Sequence, residues 1–553
     1  MIAYVLACLM LAAPPERLLT VAEKSGYKAT ARHADVVALL DAIGAASTVA
    51  HRASMGLSGE GREIPLLIVA DPPVKTAEEA AAAKADGRLL VLLLGNIHAG
   101  EVDGKEALPM LARELALEPD HRLLKKLVVV FAPIYNTDGN ERVSKNNRPG
   151  QIGPEEGMGQ RENAAGMDLN RDFIKLECPE TRALVKFLNE WDPAIVVDTH
   201  TTNGSYHQYV LTYAGPRVPA GDALMMAFGN SMVGSIDWGF EQATGKKAFW
   251  YGNFEGAFGG ERGHTRWETF PAEGRYGTSY IGLRNRIGIL SEAYSYESYE
   301  DRVLATREFC NQVLRCAAID AEEIKKAMNA ADARTIAGGR ELPLDAADLV
   351  TIRSRPIASP KKETVEGFVE ELRDGRWVST GEKKEYVVQL MDGTAPVVQV
   401  VRPWGYVFGA GVPELDALAD KLRVHGIEVG ESSETKAVFE VYRVADVSQA
   451  TRPFQGHTLA RVSVTGVVEE RSVTGKHYVV RADQPLGNLI VYLLEPECED
   501  GLVTWNALDS FLHKDTEFPV WRVVGFEGEP VTRRRRTEPG GQAEPAAKPA
   551  REE

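Results

Sequence analysis

Residues 89–101 read LLVLLLGNIHAGE, from Leu89 to Glu101. The run up to Ile97 is almost continuously apolar, which is typical of a strand that is buried on both faces of a sheet. Shorter apolar runs that indicate further strands lie at 65–70, 127–133, 194–199 and 287–291. Helical patterns between and around these runs lie at 35–46, 106–117, 179–191 and 301–331. Strands that alternate with helices predict an α/β domain with a largely parallel sheet.

The composition is that of a soluble globular chain with several domains. Its 553 residues are 44% hydrophobic and 26% charged, which allows two to four domains with large cores. The net charge of −16 argues against binding to nucleic acid or to anionic lipid, because both reward clustered Lys and Arg. Five cysteines without paired spacing exclude a disulfide scaffold and a zinc ribbon.

Changes in composition along the chain predict its organisation. The α/β pattern fills residues 15–340, and a β-rich accessory domain with one helix at 414–424 comes next, at 345–528. The strands predicted in this second domain are at 386–391, 397–401, 437–444, 477–481 and 489–494. Residues 531–553, which include four consecutive arginines, have no periodicity and are expected to be a disordered tail.

The N-terminus resembles a signal peptide. Residues 1–13 are nearly all apolar and too few to span a bilayer, so we predict a signal peptide at 1–14, export to the periplasm or medium, and no stable membrane insertion afterwards. Cys8 resembles a lipidation site, but apolar residues continue beyond it. The alternative is an N-terminal element of the fold, in which case the protein would be cytoplasmic.

Two strand ends carry residues that bind metals. His98 and Glu101 follow the strand at 89–97, and His200 follows the strand at 194–199. Since the carboxyl ends of parallel strands lie at one edge of a sheet, these side chains are expected to meet there. Two imidazoles and a carboxylate form a typical catalytic zinc site, in which a fourth position stays open.

Further functional groups lie at the next strand end and in the intervening loop. Glu292 ends the strand at 287–291, where a carboxylate beside a metal can act as a general base and acid. The alternative is a salt-bridged structural glutamate, and Glu297 or Glu300 competes for the role. The stretch at 161–173 contains Arg161, Asn170 and Arg171, which are suited to hold an anionic group such as a carboxylate.

These residues together resemble the zinc metallocarboxypeptidases of the carboxypeptidase A type. The resemblance covers about residues 18–330 and rests on an ordered set of motifs: Gly56–Ile64, His98-x-x-Glu101, Arg161, Gly-Met-Asp168-Leu-Asn170-Arg171, His200 and Glu292. It implies an eight-stranded mixed sheet flanked by helices, and one zinc ion per chain bound by His98, Glu101 and His200.

The resemblance also implies a role for each of the other residues. Arg161 would polarise the scissile carbonyl group and stabilise its oxyanion, and Asn170 with Arg171 would bind the C-terminal carboxylate of the substrate. Asp168 would orient His98. Glu292 would take a proton from the metal-activated water and later protonate the leaving amine. The family's mobile tyrosine has two candidates, Tyr276 and Tyr280, and their spacing to Glu292 does not choose between them.

The favoured hypothesis is therefore an exported zinc carboxypeptidase that removes C-terminal residues from peptides. An N-acyl amino acid deacylase on the same fold is an alternative, because it also holds a small anionic substrate. A third hypothesis is a catalytically inactive binding protein whose β-rich domain carries the function.

Overall fold

The computed structural model describes residues 14–118, 120–258, 261–340, 349–360 and 362–526. Residues 1–13 of the predicted signal peptide, with Cys8, lie outside these ranges, as does the predicted tail at 531–553. Among the helices within the ranges, none combines the length and the hydropathy that a membrane-spanning helix needs.

The described residues form α-helices, short 3-10 helices and eighteen strands. The α-helices are α1 (Val21–Ser25), α2 (His33–Ala46), α3 (Ala77–Ala85), α4 (Asp103–Leu117), α5 (Thr137–Glu141), α6 (Pro179–Trp191), α7 (Ala223–Thr244), α8 (Gly277–Leu283), α9 (Tyr299–Ile319), α10 (Ala321–Arg340), α11 (Pro413–Val424) and α12 (Gly487–Leu494). Short 3-10 helices lie at Glu16–Leu18, Arg122–Lys125, Leu169–Arg171 and Asp509–Phe511. The strands are β1 (Ala50–Leu57), β2 (Glu63–Val69), β3 (Leu89–Gly95), β4 (Leu127–Ala132), β5 (Ile195–Thr202), β6 (Leu211–Ala214), β7 (Ala248–Trp250), β8 (Asn253–Phe254), β9 (Arg266–Glu268), β10 (Ile287–Tyr294), β11 (Leu349–Ile357), β12 (Lys362–Arg373), β13 (Arg376–Met391), β14 (Gly393–Val401), β15 (Gly405–Gly409), β16 (Gly430–Gln449), β17 (Ala460–Arg481) and β18 (Trp521–Gly525).

Residues at the helix ends explain where two of these helices begin and end. Pro179 occupies the first turn of α6, where a backbone N–H has no hydrogen-bond acceptor within the helix, so proline is tolerated there. The side chain of Asp222 accepts a hydrogen bond from Met225 N (2.8 Å) and caps the start of α7. Gly245 ends α7 with a φ of 66°, a left-handed conformation that glycine adopts without strain.

The main sheet of the described chain has eight strands in the order β1-β2-β4-β3-β5-β10-β6-β7. Strands β4, β3, β5 and β10 are mutually parallel. The pairs β1 with β2, β2 with β4, and β10 with β6 are antiparallel, so the sheet is mixed. This confirms the predicted α/β fold with a mixed eight-stranded sheet flanked by helices.

Strand β3 lies at the centre of this sheet and is buried along its whole length. Leu90 and Leu92 pack into the hydrophobic cluster that also contains residues of α6, whereas Val91 and Leu93 pack into the cluster on the other face, with residues of α4 and α9. Because both faces are covered by helices, both sets of side chains must be apolar. This explains the unbroken apolar run in the sequence.

Helix α4 begins directly beside the strand that carries His200. A Cβ atom on Gly104, the second residue of α4, would lie 1.9 Å from the Oγ1 atom of Thr199 in β5. That distance is far below van der Waals contact, so only glycine fits at this position. The close approach brings the segment with His98 and Glu101 next to the end of β5.

A buried ion pair holds the same two segments together. The Oδ2 atom of Asp103 lies 3.0 Å from Nε of Arg302, and both side chains are completely buried. Asp103 also accepts a hydrogen bond from the hydroxyl of Thr201, which follows His200. Arg302 further donates to the backbone oxygens of Ile152 (2.7 Å) and Glu297 (2.8 Å). The pair therefore connects the start of α4, the end of β5 and helix α9.

Replacing Arg302 with methionine is expected to lower the free energy of unfolding by about 3–5 kcal/mol, because it leaves the Asp103 carboxylate buried without its partner. Urea unfolding of the full chain measures this change. The matched control is Arg307→Met on the same helix, which breaks a half-exposed pair with Glu114 and is expected to cost at most about 1 kcal/mol. Equal losses for the two variants would contradict a special contribution from the buried pair.

Residues 349–526 are rich in long strands. Strands β15, β17, β16 and β18 form a closed barrel, β11 pairs with β14, and the hairpin β12–β13 continues a sheet with β9 and β8 of the preceding region. The strand predicted at 489–494 is wrong, since these residues belong to helix α12. Every residue of α12 is buried, and an apolar run without alternation does not distinguish a strand from a helix.

The first region (residues 14–340) and the second region (residues 349–526) share one hydrophobic cluster. Phe187 and Tyr280 from the first region belong to the same cluster of buried residues as Leu415 and Tyr492 from the second. The boundary near residue 340, and the accessory character of the region after it, stay predictions.

Candidate metal centre and active site

The carboxyl ends of the central parallel strands lie at one edge of the sheet. His98 follows β3, His200 lies near the end of β5, and Glu292 lies in β10. Glu292 and His200 are register partners in the parallel pair β10–β5, so their side chains leave the sheet on the same face. The sheet thus brings together three residues that are far apart in the sequence.

A tight turn after β3 places His98 beside Glu101. Asn96 has a φ of 64°, a left-handed conformation that asparagine tolerates better than most residues. Its side-chain amide donates to the backbone oxygens of Ala99 (3.2 Å) and Glu101 (3.4 Å). Asn136, after β4, also supports this turn by donating to the backbone oxygen of Ile97 (3.3 Å).

The side chains of His98, Glu101 and His200 form one compact cluster. The Nδ1 atoms of the two histidines lie 3.2 Å apart. Nδ1 of His98 is 3.1 Å from Oε1 of Glu101, and Nδ1 of His200 is 2.8 Å from Oε2 of the same carboxylate. All three residues are buried, and their ligand atoms lie within 4.8 Å of one another.

This donor set fits a zinc ion. Bonds of about 2.0–2.1 Å in a tetrahedral site place the ligand atoms about 3.3 Å apart, close to the observed separations. Nε2 of each histidine faces a carboxylate oxygen, of Asp168 for His98 and of Asp198 for His200, which places the proton of a neutral ring on Nε2. The two Nδ1 atoms, 3.2 Å apart, then face each other and Glu101 as acceptors without a proton between them. One cation between the two nitrogens and the carboxylate would satisfy all three groups.

The electrostatic environment keeps Glu101 ionised. Burial opposes ionisation, but His98 and Arg148 outweigh it, so the pKa of the Glu101 carboxyl lies well below its usual value. For His200, burial lowers the pKa, yet the neighbouring Asp198 carboxylate raises it well above the ordinary value. A proton and a metal ion therefore compete for this histidine.

Each histidine has a carboxylate on its other ring nitrogen. Nε2 of His98 lies 3.0 Å from Oδ1 of Asp168, the partner that the family resemblance implies. Nε2 of His200 lies 2.8 Å from Oδ2 of Asp198, a partner that the sequence analysis missed. Such carboxylates fix the orientation of a metal-binding imidazole. Asp198 was detectable, because residues two apart on a strand point to the same face.

The sequence analysis also missed Arg148, a residue of the loop before the 161–173 stretch. Its guanidinium donates to Oε1 of Glu101 (2.9 Å) and to the backbone oxygen of Thr201 (2.7 Å). Its Nε donates to Gln151 (2.7 Å). Arg148 therefore links the loop after β3 with the end of β5, and no local pattern marks it in the sequence.

Arg161, Asn170 and Arg171 border this cluster. Arg161 donates through Nε (3.0 Å) and Nη2 (2.7 Å) to Oδ2 of Asp168, and 35% of its side chain is exposed, so it can still be reached by a substrate. Asn170 accepts a hydrogen bond from Gly277 N (2.8 Å). Nη1 of Arg171 lies 3.7 Å from Oδ2 of Asp168. Asp168 thus connects His98 with both arginines.

Glu292 is buried among charged groups of both signs. Burial raises the pKa of its carboxyl to about 8, with His200 acting in the opposite direction and Glu101 adding to the increase. Tyr251, another residue that the sequence analysis did not select, lies close by. Burial raises the pKa of the Tyr251 hydroxyl above its usual value, and the negative charge of Glu292 adds to this shift.

The structure places the two predicted tyrosines differently. The ring of Tyr276 lies 4.5 Å from the guanidinium carbon of Arg171, at the border of the site. Tyr280 is completely buried, and its hydroxyl lies 2.8 Å from Nδ1 of His425 in the second region. In this conformation the Tyr280 hydroxyl is not exposed to a substrate, whereas Tyr276 lies against Arg171 at the border of the site.

Residues 36–252 match the profile of a protein family described as zinc carboxypeptidase. The matched segment includes His98, Glu101 and His200 and the stretch from Arg161 to Arg171, and it ends before Glu292. The match confirms the resemblance predicted from the sequence motifs.

Individual relatives are similar to different parts of the chain. Carboxypeptidase D of Mus musculus is 36% identical over 157 residues, which are 24% of this chain and 11% of that protein. The chain therefore spans about a tenth of the length of the carboxypeptidase D proteins that it matches. Carboxypeptidase 2 of Trichophyton rubrum is 21% identical and covers 84% of this chain and 81% of its own length. A solved metallo-carboxypeptidase from Burkholderia cenocepacia is 18% identical, with a TM-score of 0.36 over 51% of this chain and 68% of its own.

Proposed function

Because residues 36–252 match the zinc carboxypeptidase family, we propose that this chain is a zinc-dependent carboxypeptidase that hydrolyses the C-terminal residue of peptides. The observation that carries the proposal is the convergence of His98, Glu101 and His200 at one edge of the sheet, beside an arginine pair that is suited to carboxylate. An arrangement of this kind can hold both a metal ion and the end of a peptide.

In this proposal the metal is bound by His98, Glu101 and His200, with one zinc ion per chain. Zinc held there would supply Lewis-acid chemistry, polarising the scissile carbonyl group and acidifying water at neutral pH. Asp168 and Asp198 lie on Nε2 of the two imidazoles, so that both Nδ1 atoms face the Glu101 carboxylate and would be available to hold a metal ion.

The arginines would bind and orient the peptide. Arg161, partly exposed and anchored by Asp168, donates to the carbonyl oxygen as negative charge develops on it during attack. Arg171 and Asn170 bind the terminal carboxylate, because a guanidinium donates two parallel hydrogen bonds to a carboxylate. The ring of Tyr276 against Arg171 limits the positions that this guanidinium can adopt.

Glu292 would move the proton. Its carboxylate accepts a proton from the attacking water while the new C–O bond forms, and then delivers it to the amine nitrogen as the C–N bond breaks. Burial raises the pKa of Glu292 above that of an ordinary glutamate, so its ionised carboxylate would hold an accepted proton more firmly until the amine leaves.

A mixed peptide library tests the proposal. The full chain is incubated with peptides that end in a free carboxylate or in an amide, with and without a zinc chelator, and the products are identified by mass spectrometry. Stepwise loss of single C-terminal residues from the free peptides alone, stopped by the chelator, is the expected result. Internal cleavage, or turnover of N-acyl amino acids without peptide cleavage, would contradict the proposal and favour an endopeptidase or the deacylase.

Arg171→Lys is expected to lower kcat/KM for peptides with a free C-terminus about 10–100-fold. Lysine keeps the positive charge near Asp168 but loses the forked geometry, and a hydrogen bond to a charged group contributes about 1.5–3 kcal/mol. Steady-state kinetics on one peptide with a free and an amidated C-terminus measures the effect. Arg182→Lys, a change at an exposed arginine of α6, is the control and should leave kcat/KM unchanged. An equal response of both variants would mean that Arg171 does not bind the terminal carboxylate.

A further inference from the structure

A turn from the second region reaches the residue that orients His98. Residues 450–459 connect β16 with β17, and Phe454 and His457 face each other there through two backbone hydrogen bonds of 2.8 and 3.0 Å. Between them, Gln455 has a φ of 50° and Gly456 a φ of 81°. Two consecutive residues with positive φ define a tight type I′ turn. This conformation costs free energy for glutamine, and a contact of its side chain can offset that cost.

That contact is a hydrogen bond into the candidate active site. Oε1 of Gln455 accepts the backbone N–H of Asp168 at 2.8 Å, across 287 residues of sequence. The side chain of Asp168 is bonded to Nε2 of His98 and to Arg161. One continuous chain of hydrogen bonds therefore runs from Gln455 through Asp168 to a proposed metal ligand.

A second contact holds the same turn against the same loop. Nε2 of His457 lies 2.9 Å from Oε1 of Glu177, and Nδ1 of His457 lies 3.1 Å from Oδ1 of Asn506. Lys421 of α11 donates to the backbone oxygen of Lys175 in this loop. The loop that carries Asp168 is thus fastened to the second region at Asp168 and again at residues 175–177.

The opposite border of the site has similar contacts with the second region. Arg275, next to Tyr276, lies 3.0 Å from Oδ1 of Asp500, and its backbone N–H donates to Oδ2 of the same carboxylate (2.6 Å). Gly274 N donates to the hydroxyl of Tyr492 (3.0 Å). Both segments that border the proposed carboxylate-binding residues therefore depend on residues 349–526.

From these contacts we infer that the second region completes the active site, and that Gln455 is a positioning residue that holds Asp168 and thereby His98. The inference rests on the zinc site of the proposed function. It assigns a role to residues 349–526 that their β-rich composition does not indicate. The amide of Gln455 acts on the metal through two intervening residues and touches neither metal nor substrate.

The decisive variant is Gln455→Asn. Asparagine followed by Gly456 is the preferred pair for a type I′ turn, so the fold should be kept or stabilised, yet the amide is one methylene too short to reach Asp168 N. Gln455→Met, which keeps the length and removes the acceptor, is the second variant. The matched control is Gln484→Met, because Oε1 of Gln484 accepts Glu428 N at the same 2.8 Å within the second region and away from the site.

The readout is the zinc dissociation constant of the full chain, measured by competition with a fluorescent chelator, together with urea unfolding. Both Gln455 variants are expected to bind zinc about tenfold more weakly, at the lower end of the roughly 10–100-fold effects of residues behind metal ligands. Gln455→Asn should do so without loss of unfolding free energy, and Gln484→Met should keep the zinc affinity. Unchanged affinity in both Gln455 variants would overturn the inference alone. An unsubstituted chain that does not bind zinc would overturn the proposed function as well, and this control needs no peptide substrate.

Discussion

Glu292→Gln is expected to lower kcat for peptide hydrolysis by about 10²–10⁴-fold while zinc stays bound with one ion per chain. Glutamine has the same shape as glutamate but cannot accept a proton, and general acid–base catalysis contributes a factor of this size. Glu292 lies outside the cluster of His98, Glu101 and His200, so its replacement leaves the ligand atoms in place. Steady-state kinetics and metal analysis of the same purified sample measure the two quantities.

Two neighbouring glutamates provide the controls for this experiment. Glu297 and Glu300 lie within eight residues of Glu292 but outside β10, and Glu300 is exposed at the start of α9. Glu297→Gln and Glu300→Gln are expected to keep kcat. Loss of turnover in either of them, with full activity in Glu292→Gln, would transfer the proton-moving role to another carboxylate.

His200→Ala is expected to abolish zinc binding at micromolar zinc and to abolish peptide hydrolysis with it. The change removes one of three proposed ligands, and its effect should exceed the roughly 10–100-fold loss caused by a change behind a ligand. Metal analysis after dialysis and a zinc titration measure the affinity. Chelator treatment of the unsubstituted chain should give the same loss of activity, and added zinc should restore it.

A graded series separates this effect from general damage to the fold. Asp198→Asn changes the residue behind His200 and should weaken zinc binding by an intermediate amount, since its carboxylate lies 2.8 Å from Nε2 of that histidine. His513→Ala changes an exposed histidine of the second region and should change nothing. Zinc binding by His200→Ala with the affinity of the unsubstituted chain would remove His200 from the metal site.

The predictive value of the sequence depended on the kind of signal. The apolar runs at 89–97 and 127–133 predicted buried strands correctly, because burial on both faces leaves no position for a polar residue. The same kind of run at 489–494 predicted a strand where α12 lies. An apolar run indicates that a segment is buried, but it does not say whether the segment is a helix or a strand. That choice depends on whether its backbone hydrogen bonds form within the segment or with a neighbouring strand.

The candidate site also contains residues that the sequence predicted correctly and residues that it did not. His98, Glu101, His200 and Glu292 follow or end apolar runs, so each has a local signal, and the parallel order of the strands brings them together. Tyr280 has the right residue type and an acceptable spacing, yet its hydroxyl is directed to His425, 145 residues further along the chain. Spacing along the sequence does not specify the direction of a side chain on a helix that is buried on all sides.

The sequence by itself determined the α/β fold and the order of the polar residues at the sheet edge, because strand burial and residue type at strand ends are properties of short segments. The mixed, eight-stranded form of the sheet was implied by the family resemblance and not by these segments. Only the tertiary structure decided which other groups form hydrogen bonds with these polar residues and with their neighbours. Arg148 reaches Glu101 across 47 residues, and Gln455 reaches Asp168 across 287. Such hydrogen bonds depend on the final distance between two atoms, to within a few tenths of an ångström, and no pattern in a single short segment encodes that distance.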